Sequence, residues 1–425
     1  MSHSHSHALP AAPGRLALPG IVQGLSIAAV LAGGAALAMS FSRGDLQLAW
    51  SSYLIGVFFA LGLGVFGVAW LAILYLARAD WSVTMRRIPE AMTSWLLPGG
   101  LLTMAVGLGA HSLYHWSHAD VVAADELLTH KAPFLNMGMF YALVGVSLAL
   151  WVAFAALIVG ASHRQDKEGG IGPTRTSRTF SAIFLVVFAL TISIVSFYLL
   201  LSLDAHWFST MFAVLVFTDV VQTGTAFVAV VAGLMVMNGR LQGFINDNHL
   251  HSLGKMVFAA TGFWAYIYFC QHMLIWYANI PEETVYFLRR QENGWLPYLL
   301  ALPALKFVVP FLLMVPRDAK RNPKKLVPVA ILILFAQFWE LFVMVGPAVS
   351  HGEAAAHAHL PVVEFAATLG FIGLTALGTL TVLLPTAVGQ PDPDAAGRLR
   401  RDLPLAVAGV LLTAAGAAWW PPLVY

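Results

Sequence analysis

Eleven stretches of this chain are candidates to cross a lipid bilayer, and no other feature restricts its folding so strongly. About 30 Å of hydrocarbon needs roughly 20 apolar residues in a helix. Residues 17–40, 47–77, 91–112, 134–161, 178–202, 209–237, 254–278, 296–316, 326–349 and 361–387 each meet that length, and 404–420 is of marginal length. Backbone groups in lipid must find their partners within their own segment, which makes each run a helix. The runs are too long and continuous to be barrel strands. With 59% hydrophobic and only 10% charged residues over 425 positions, no soluble core could hide this much apolar surface. The sequence predicts an all-α polytopic membrane protein of about 10–11 transmembrane helices.

The basic residues give the orientation. If the N-terminus is cytoplasmic, 18 of the 23 Lys and Arg fall on the cytoplasmic side. Arg43, Lys131, Arg289 and Arg290 fall on the other side, and Lys306 lies inside a span. This asymmetry is the positive-inside pattern, and a bacterial inner membrane is the expected location. The basic run Arg317 to Lys325 then reads as a topology anchor; with a net charge of +2 the chain has no nucleic-acid signature. The N-terminal Met-Ser-His-Ser-His-Ser-His has no basic n-region and is read as a tail that is not cleaved.

The expected organisation is a disordered His/Ser tail (1–16), a flanking helix (17–45), a first four-helix bundle of spans 2–5 (46–208), a second of spans 6–9 (209–350), and flanking helices 10 and 11 (351–425) joined by a linker at 388–403. A weak internal echo supports two bundles: span 3 ends His111-x-x-x-His115-Trp, and span 7 ends His272-x-x-x-Trp276-Tyr. Gly62-x-Gly64-x-x-Gly67 matches a dinucleotide fingerprint but sits inside a span with no strand before it. It and Gly20-x-x-x-Gly24 read as small residues for close helix packing. The lone Cys270 excludes a disulfide, a covalent haem attachment and an iron–sulfur cluster on this chain.

Charged groups inside a bilayer are costly and point to function. Counting about 1.5 Å per residue, Asp219 (span 6), Lys306 (span 8) and Glu340 (span 9) fall near mid-membrane, with His272 (span 7) nearer the outer face. Such a set can carry protons; the alternative is a static ion pair that fixes helix register. Gln222, Thr225, Gln271 and Gln337 are candidates to extend a hydrogen-bonded path, or are ordinary interhelical bonds. Glu364 is expected to snorkel at the interface. The first bundle shows no equivalent charge set, only Thr191, Ser193 and Ser196.

The connector after span 3 carries His111, His115, His118 and His130 with Asp120, Asp125, Glu126 and Lys131. If the helix continues past the membrane, His111, His115 and His118 share one face. That face suits contact with another subunit, a quinone carbonyl or hydroxyl, zinc, or haem. No metal site is assigned.

Several motifs together resemble a known family: His130-Lys131-x-x-x-Leu-Asn136, Phe180-Ser-Ala-Ile-Phe-Leu, Ser202-Leu-Asp204-Ala-His206-Trp207, Leu253-Gly-Lys255, Trp276-Tyr-Ala-Asn279-Ile-Pro-Glu282-Glu283-Thr, Phe307-Val-Val-Pro310-Phe and Lys320-Arg-Asn-Pro. Over residues 80–350 they are similar to the ActF-type membrane subunits of bacterial alternative complex III, a quinol:cytochrome c oxidoreductase. Those subunits are related to the polysulfide-reductase membrane anchors. The resemblance implies two four-helix bundles and a non-catalytic or co-catalytic subunit contributing a proton path and a second quinol or menaquinol site. Haems and iron–sulfur clusters are then expected on partners: an iron–sulfur protein, c-type cytochrome subunits, a second membrane subunit of the same type, small membrane subunits, and in some assemblies a terminal oxidase. Asp219, His272, Lys306, Glu340, Gln271, Gln222 and Thr225 are the expected proton path. His111, His115, His118, His130, Lys131, Asn136, Asp204, His206, Glu282 and Glu283 are the expected outward contacts to partners or quinone. Two alternatives stay open. One is a stand-alone proton-coupled secondary transporter, against which these spans show few central breaks apart from Pro310. The other is a b-type cytochrome using His111 and His272.

Overall fold

The computed structural model describes residues 20–239, 245–349 and 357–386. Among these residues ten helices are long and apolar enough to cross a membrane: α1 (Gly20–Ser42), α2 (Leu46–Leu76), α3 (Arg87–Leu113), α4 (Met137–Glu168), α5 (Gly172–Leu199), α6 (Met211–Met237), α7 (Asp247–Ala278), α8 (Leu296–Met314), α9 (Pro323–Val345) and α10 (Val362–Thr386). The protein is an all-α polytopic membrane protein. The tail at 1–16, Arg240, His351, the linker at 388–403 and the eleventh stretch at 404–420 lie outside the described residues.

Helix α2 is the axis of the molecule. It is apolar all round, the pattern of a fully enclosed helix, and 89% of its most apolar window is buried. It packs against α3, α4 and α5 of the first helix group, against α6 and α9 of the second, and against α1 and α10. Both helix groups therefore share it. By contrast α8 and α1, with 17% and 22% of their windows buried, present most of their surface outward, toward lipid or a partner.

Small residues set the closest approaches. A Cβ on Gly67 would lie 2.6 Å from the Pro89 carbonyl of α3, and one on Gly64 would lie 3.2 Å from Leu96. The fingerprint-like glycines are thus a packing seam. In the Gly20-x-x-x-Gly24 motif, a Cβ on Gly24 would meet nothing within 4 Å, so Gly24 makes no close approach among the described residues. The close seam of α1 lies further along, where a Cβ on Gly33 would reach Ala366 and Gly370 of α10 at 2.6 and 2.8 Å.

Two spans are irregular. Helix α3 tightens into 3-10 turns at Thr93–Trp95 and Ala105–Gly109. Helix α8 opens into a π-helical turn at Ala304–Val308, with Pro303 before it and Pro310 after it. Proline has no N–H to donate to the carbonyl four residues earlier, so Pro310 frees the Lys306 carbonyl. In lipid that carbonyl needs another partner, and the Gln222 side-chain amide of α6 donates to it at 3.0 Å. The break falls beside Pro310, the one central interruption the sequence shows.

Candidate functional site

The site is built where α6, α7, α8 and α9 face one another. On α6, Asp219, Gln222 and Thr223 are spaced three and four residues apart, which puts them on one face. On α9, Gln337 and Glu340 share a face in the same way. On α7 the stripe is Thr261, Trp264, Tyr268 and Gln271, at steps of three, four and three. The π turn of α8 aims Lys306 into the space between them.

Lys306 is fully buried, with 0% exposure, and so is Glu340; Asp219 is 2% exposed. The Lys306 ammonium donates to Asp219 Oδ1 at 2.6 Å and to Gln337 Oε1 at 2.6 Å, and it is in direct contact with Glu340 Oε2. All three ammonium protons therefore have an acceptor. Trp264 Nε1 donates to the other Glu340 oxygen at 3.2 Å, and its ring lies 4.9 Å from Lys306 Nζ. Thr223 Oγ1 donates to Gln337 Oε1 at 2.9 Å, and Gln222 Nε2 also reaches Thr261 Oγ1 at 3.1 Å. Two carboxyls and one ammonium out of water balance when the carboxyls share one proton, because an uncompensated charge is costly there. In that state the cluster carries no net charge.

On the side of the histidine-rich connector, a cavity of about 20 Å³ opens from Glu340, lined by Tyr268, Gln271, Tyr286 and Arg290. It is the size of one water. Beyond it Arg290, 2% exposed, bonds the carbonyls of Tyr286, Val343 and Met344 and Asp204 Oδ2 at 2.7 to 3.2 Å. Arg289 holds the second Asp204 oxygen at 2.9 Å. The Arg290 guanidinium lies 3.4 Å above the Tyr286 ring, and Tyr286 stacks on Trp207 at 4.0 Å. The chain matches no family model and no curated protein.

Some expected path residues join this cluster and others do not. Asp219, Lys306, Glu340, Gln222 and Gln337 are bonded together, and Gln271 lines the adjoining cavity while donating to Ser209 Oγ at 3.3 Å. His272 is one residue past Gln271, a rotation of about 100°, and lies off the stripe. It packs edge-on to Phe287 at 4.6 Å and is half-buried. Thr225 bonds only its own helix, at Val221 and Gln222. Thr223, Trp264, Tyr268, Tyr286 and Arg290 were not picked from the sequence. The three-and-four spacing of polar and aromatic residues on α7 was the available signal.

The residues expected to face outward are used largely inside the chain. Asn136 caps α4, accepting from the Met139 amide at 2.9 Å while its own amide donates to Ala132 and Pro133. Lys131 donates to the Ala205 carbonyl at 2.7 Å, and burial lowers its pKa. Asp125 Oδ2 is 2.5 Å from His206 Nε2, and that hydrogen bond holds its carboxyl below the usual range. Glu283 lends its carbonyl to Trp207 Nε1 at 2.9 Å. Asp204 is bound by the two arginines. His111, His130, His206 and Glu282 are the exposed members. The helical face expected for His111, His115 and His118 does not form: the α-helix stops at Leu113, and Tyr114 and His118 are extended. The chain folds back, so His118 Nε2 meets the His111 carbonyl at 2.8 Å and the two rings lie 4.9 Å apart. Among the described residues no three His, Cys or acidic side chains converge as a metal site requires.

Two further findings concern acids. Glu90, one residue before the expected start of span 3, is buried and binds Arg86, Arg87 and Ser162, a charge set at the end of the span and not at mid-membrane depth. Glu364 does not snorkel. It is 2% exposed and meets His359 Nε2 at 2.7 Å. His359 also accepts at its carbonyl from the Tyr298 hydroxyl at 3.1 Å and packs on Phe342, tying α8 and α9 to the start of α10.

The Glu364 hydrogen bond raises the His359 pKa, partly offset by burial, with lesser contributions from the Glu364 charge, the His357 carbonyl and Asp45. A raised imidazole pKa adds stability that is full below the unfolded value of about 6.5 and is lost as pH rises through the folded value. We expect the detergent-solubilised protein to melt at lower temperature at about pH 8.5 than at about pH 6, and His359→Gln to flatten that difference. An unchanged pH slope in the variant would remove this assignment.

Proposed function

We propose that this chain is an integral membrane subunit of a respiratory quinol:cytochrome c oxidoreductase of the alternative complex III type, in which the second helix bundle carries protons. The observation that carries the reading is the fully buried Lys306 held between Asp219 and Glu340 beside a water-sized cavity. A purely structural pair would need one carboxylate. A second acid gives the site a proton to release and regain.

In this reading Glu340 exchanges its proton through the cavity at Tyr268 and Gln271 toward Arg290 and Asp204 on the outward side. Lys306 and Asp219 reset the charge balance from within. The motif resemblance supplies the complex: haems, iron–sulfur clusters and the quinol:cytochrome c chemistry belong to partner subunits in a bacterial inner membrane with the N-terminus cytoplasmic. The surface from Asp125 to Lys131, with His206 and Glu282, would meet those partners.

The test uses the purified complex in proteoliposomes, driven by a quinol with cytochrome c as acceptor. Glu340→Gln and Asp219→Asn should each lower the protons translocated per electron while the haem-bearing subunits still co-purify. An unchanged ratio ends the proton-path reading.

A stand-alone proton-coupled transporter is favoured by one observation, the interruption of α8 at the charge cluster, since transporters commonly break helices at their midplane site. Gentle solubilisation separates the two readings. Cytochrome absorbance that follows this chain through purification supports the complex, and a chain that isolates alone without it supports the transporter.

A further inference from the structure

We infer that the arginine-rich end of the first bundle holds a binding site for a phosphate group carried by an anionic phospholipid. A cavity of about 350 Å³ opens there between the end of α2, the turn that follows it, the end of α4 and the start of α5. Arg78, Arg86 and Arg178 line it, against one acid, Asp166, that faces it. That acid is already engaged by Arg87, which is also bound to Glu90 at 2.6 Å. Arg86 shares Glu90 at 3.2 Å. Among the cavity's lining residues and the two groups bonded to them, four guanidiniums face two carboxylates, and the excess is cationic.

The polar donors are not all used. Among the described residues, Arg178 Nε and the Tyr75 hydroxyl are buried with no hydrogen-bond partner, and Tyr75 is 8% exposed. Groups in this state cost stability unless a ligand meets them. Arg78 sits at φ +50°, the left-handed region, which costs a non-glycine residue energy and is held only where the surroundings impose it. It directs the chain out of α2 at the rim of the cavity. The deeper wall is apolar, with Leu71 and Leu74 from the membrane-embedded part of α2. Guanidiniums at a membrane edge above an apolar wall match a phosphodiester headgroup with its acyl chain alongside, and paired arginines are well suited to phosphate oxygens.

The experiment uses the full chain in neutral detergent, mixed with phosphatidylglycerol, with phosphatidylcholine, or with inorganic phosphate alone, and reads retained ligand by native mass spectrometry. Phosphatidylglycerol should be retained and phosphatidylcholine should not. A double variant, Arg78→Gln with Arg178→Gln, should weaken retention by about tenfold or more, the loss of two charge-assisted hydrogen bonds. Tyr75→Phe, which removes one oxygen and leaves the packing, should weaken it less and guards against misfolding of the double variant. Retention of inorganic phosphate with no preference for the anionic lipid would overturn the lipid source. Equal retention of both lipids, or retention unchanged in every variant, would overturn the site.

Discussion

Replacing Lys306 by methionine is expected to destabilise the protein by about 3–5 kcal/mol, the cost of removing one partner from a buried ion pair. The reason is specific to this geometry. Methionine fills most of the volume, so little of the loss comes from a void. What remains is Asp219 and Glu340, both buried and facing one another with no cation. The Gln337 carbonyl oxygen, which accepts from Lys306 and Thr223, also loses a donor. Charge is the cause, so removing the remaining charges should repair it. Lys306→Met combined with Asp219→Asn and Glu340→Gln should recover most of the lost stability, because amides can bond without a counter-ion. Thermal unfolding of the detergent-solubilised variants reads both steps. A triple variant no more stable than the single one would mean that packing, not electrostatics, governs this region.

Asp204→Ala is expected to cost about 3 kcal/mol, toward the lower part of the range for a broken buried pair. Arg290 is 2% exposed and would lose its one carboxylate, but its three bonds to the carbonyls of Tyr286, Val343 and Met344 remain and soften the effect. Arg289, more exposed, would lose its bond to Asp204 at smaller cost. The consequence is local before it is global. Asp204 ties the turn after α5 to the connector before α8, and the Trp207–Tyr286 stack depends on the same junction. Limited proteolysis should therefore cut residues 281–295 faster in the variant while the membrane helices stay protected. Equal cutting rates would remove Asp204 as the clamp of that connector.

The sequence made the long spans legible because lipid leaves a backbone almost no choice: a run of about 20 apolar residues must be helical. The depth of Asp219, Lys306 and Glu340 was legible too, since rise per residue is fixed and position along a helix fixes depth. Rotation was not. His272 and Gln271 are adjacent in sequence and equal in depth, yet only Gln271 reaches the cavity beside Glu340. Glu364 departs from expectation for the same reason: its depth near a helix end suggests water, while its direction is inward toward His359. The histidine connector failed differently. Its spacing suits a helix, but Tyr114 and His118 adopt extended backbone and fold the segment back on itself.

By itself, then, the sequence determined that the chain is a bundle of membrane-length helices with a few titratable groups at known depths, because hydrophobic length and helical rise are properties of each segment alone. Only the tertiary structure decided which of those groups meet, that the break between Pro303 and Pro310 turns Lys306 onto two acids, and that α2 lies enclosed by both helix groups. Those outcomes depend on how each helix is rotated against its neighbours, and rotation is set by side chains from distant parts of the chain competing for the same interior space.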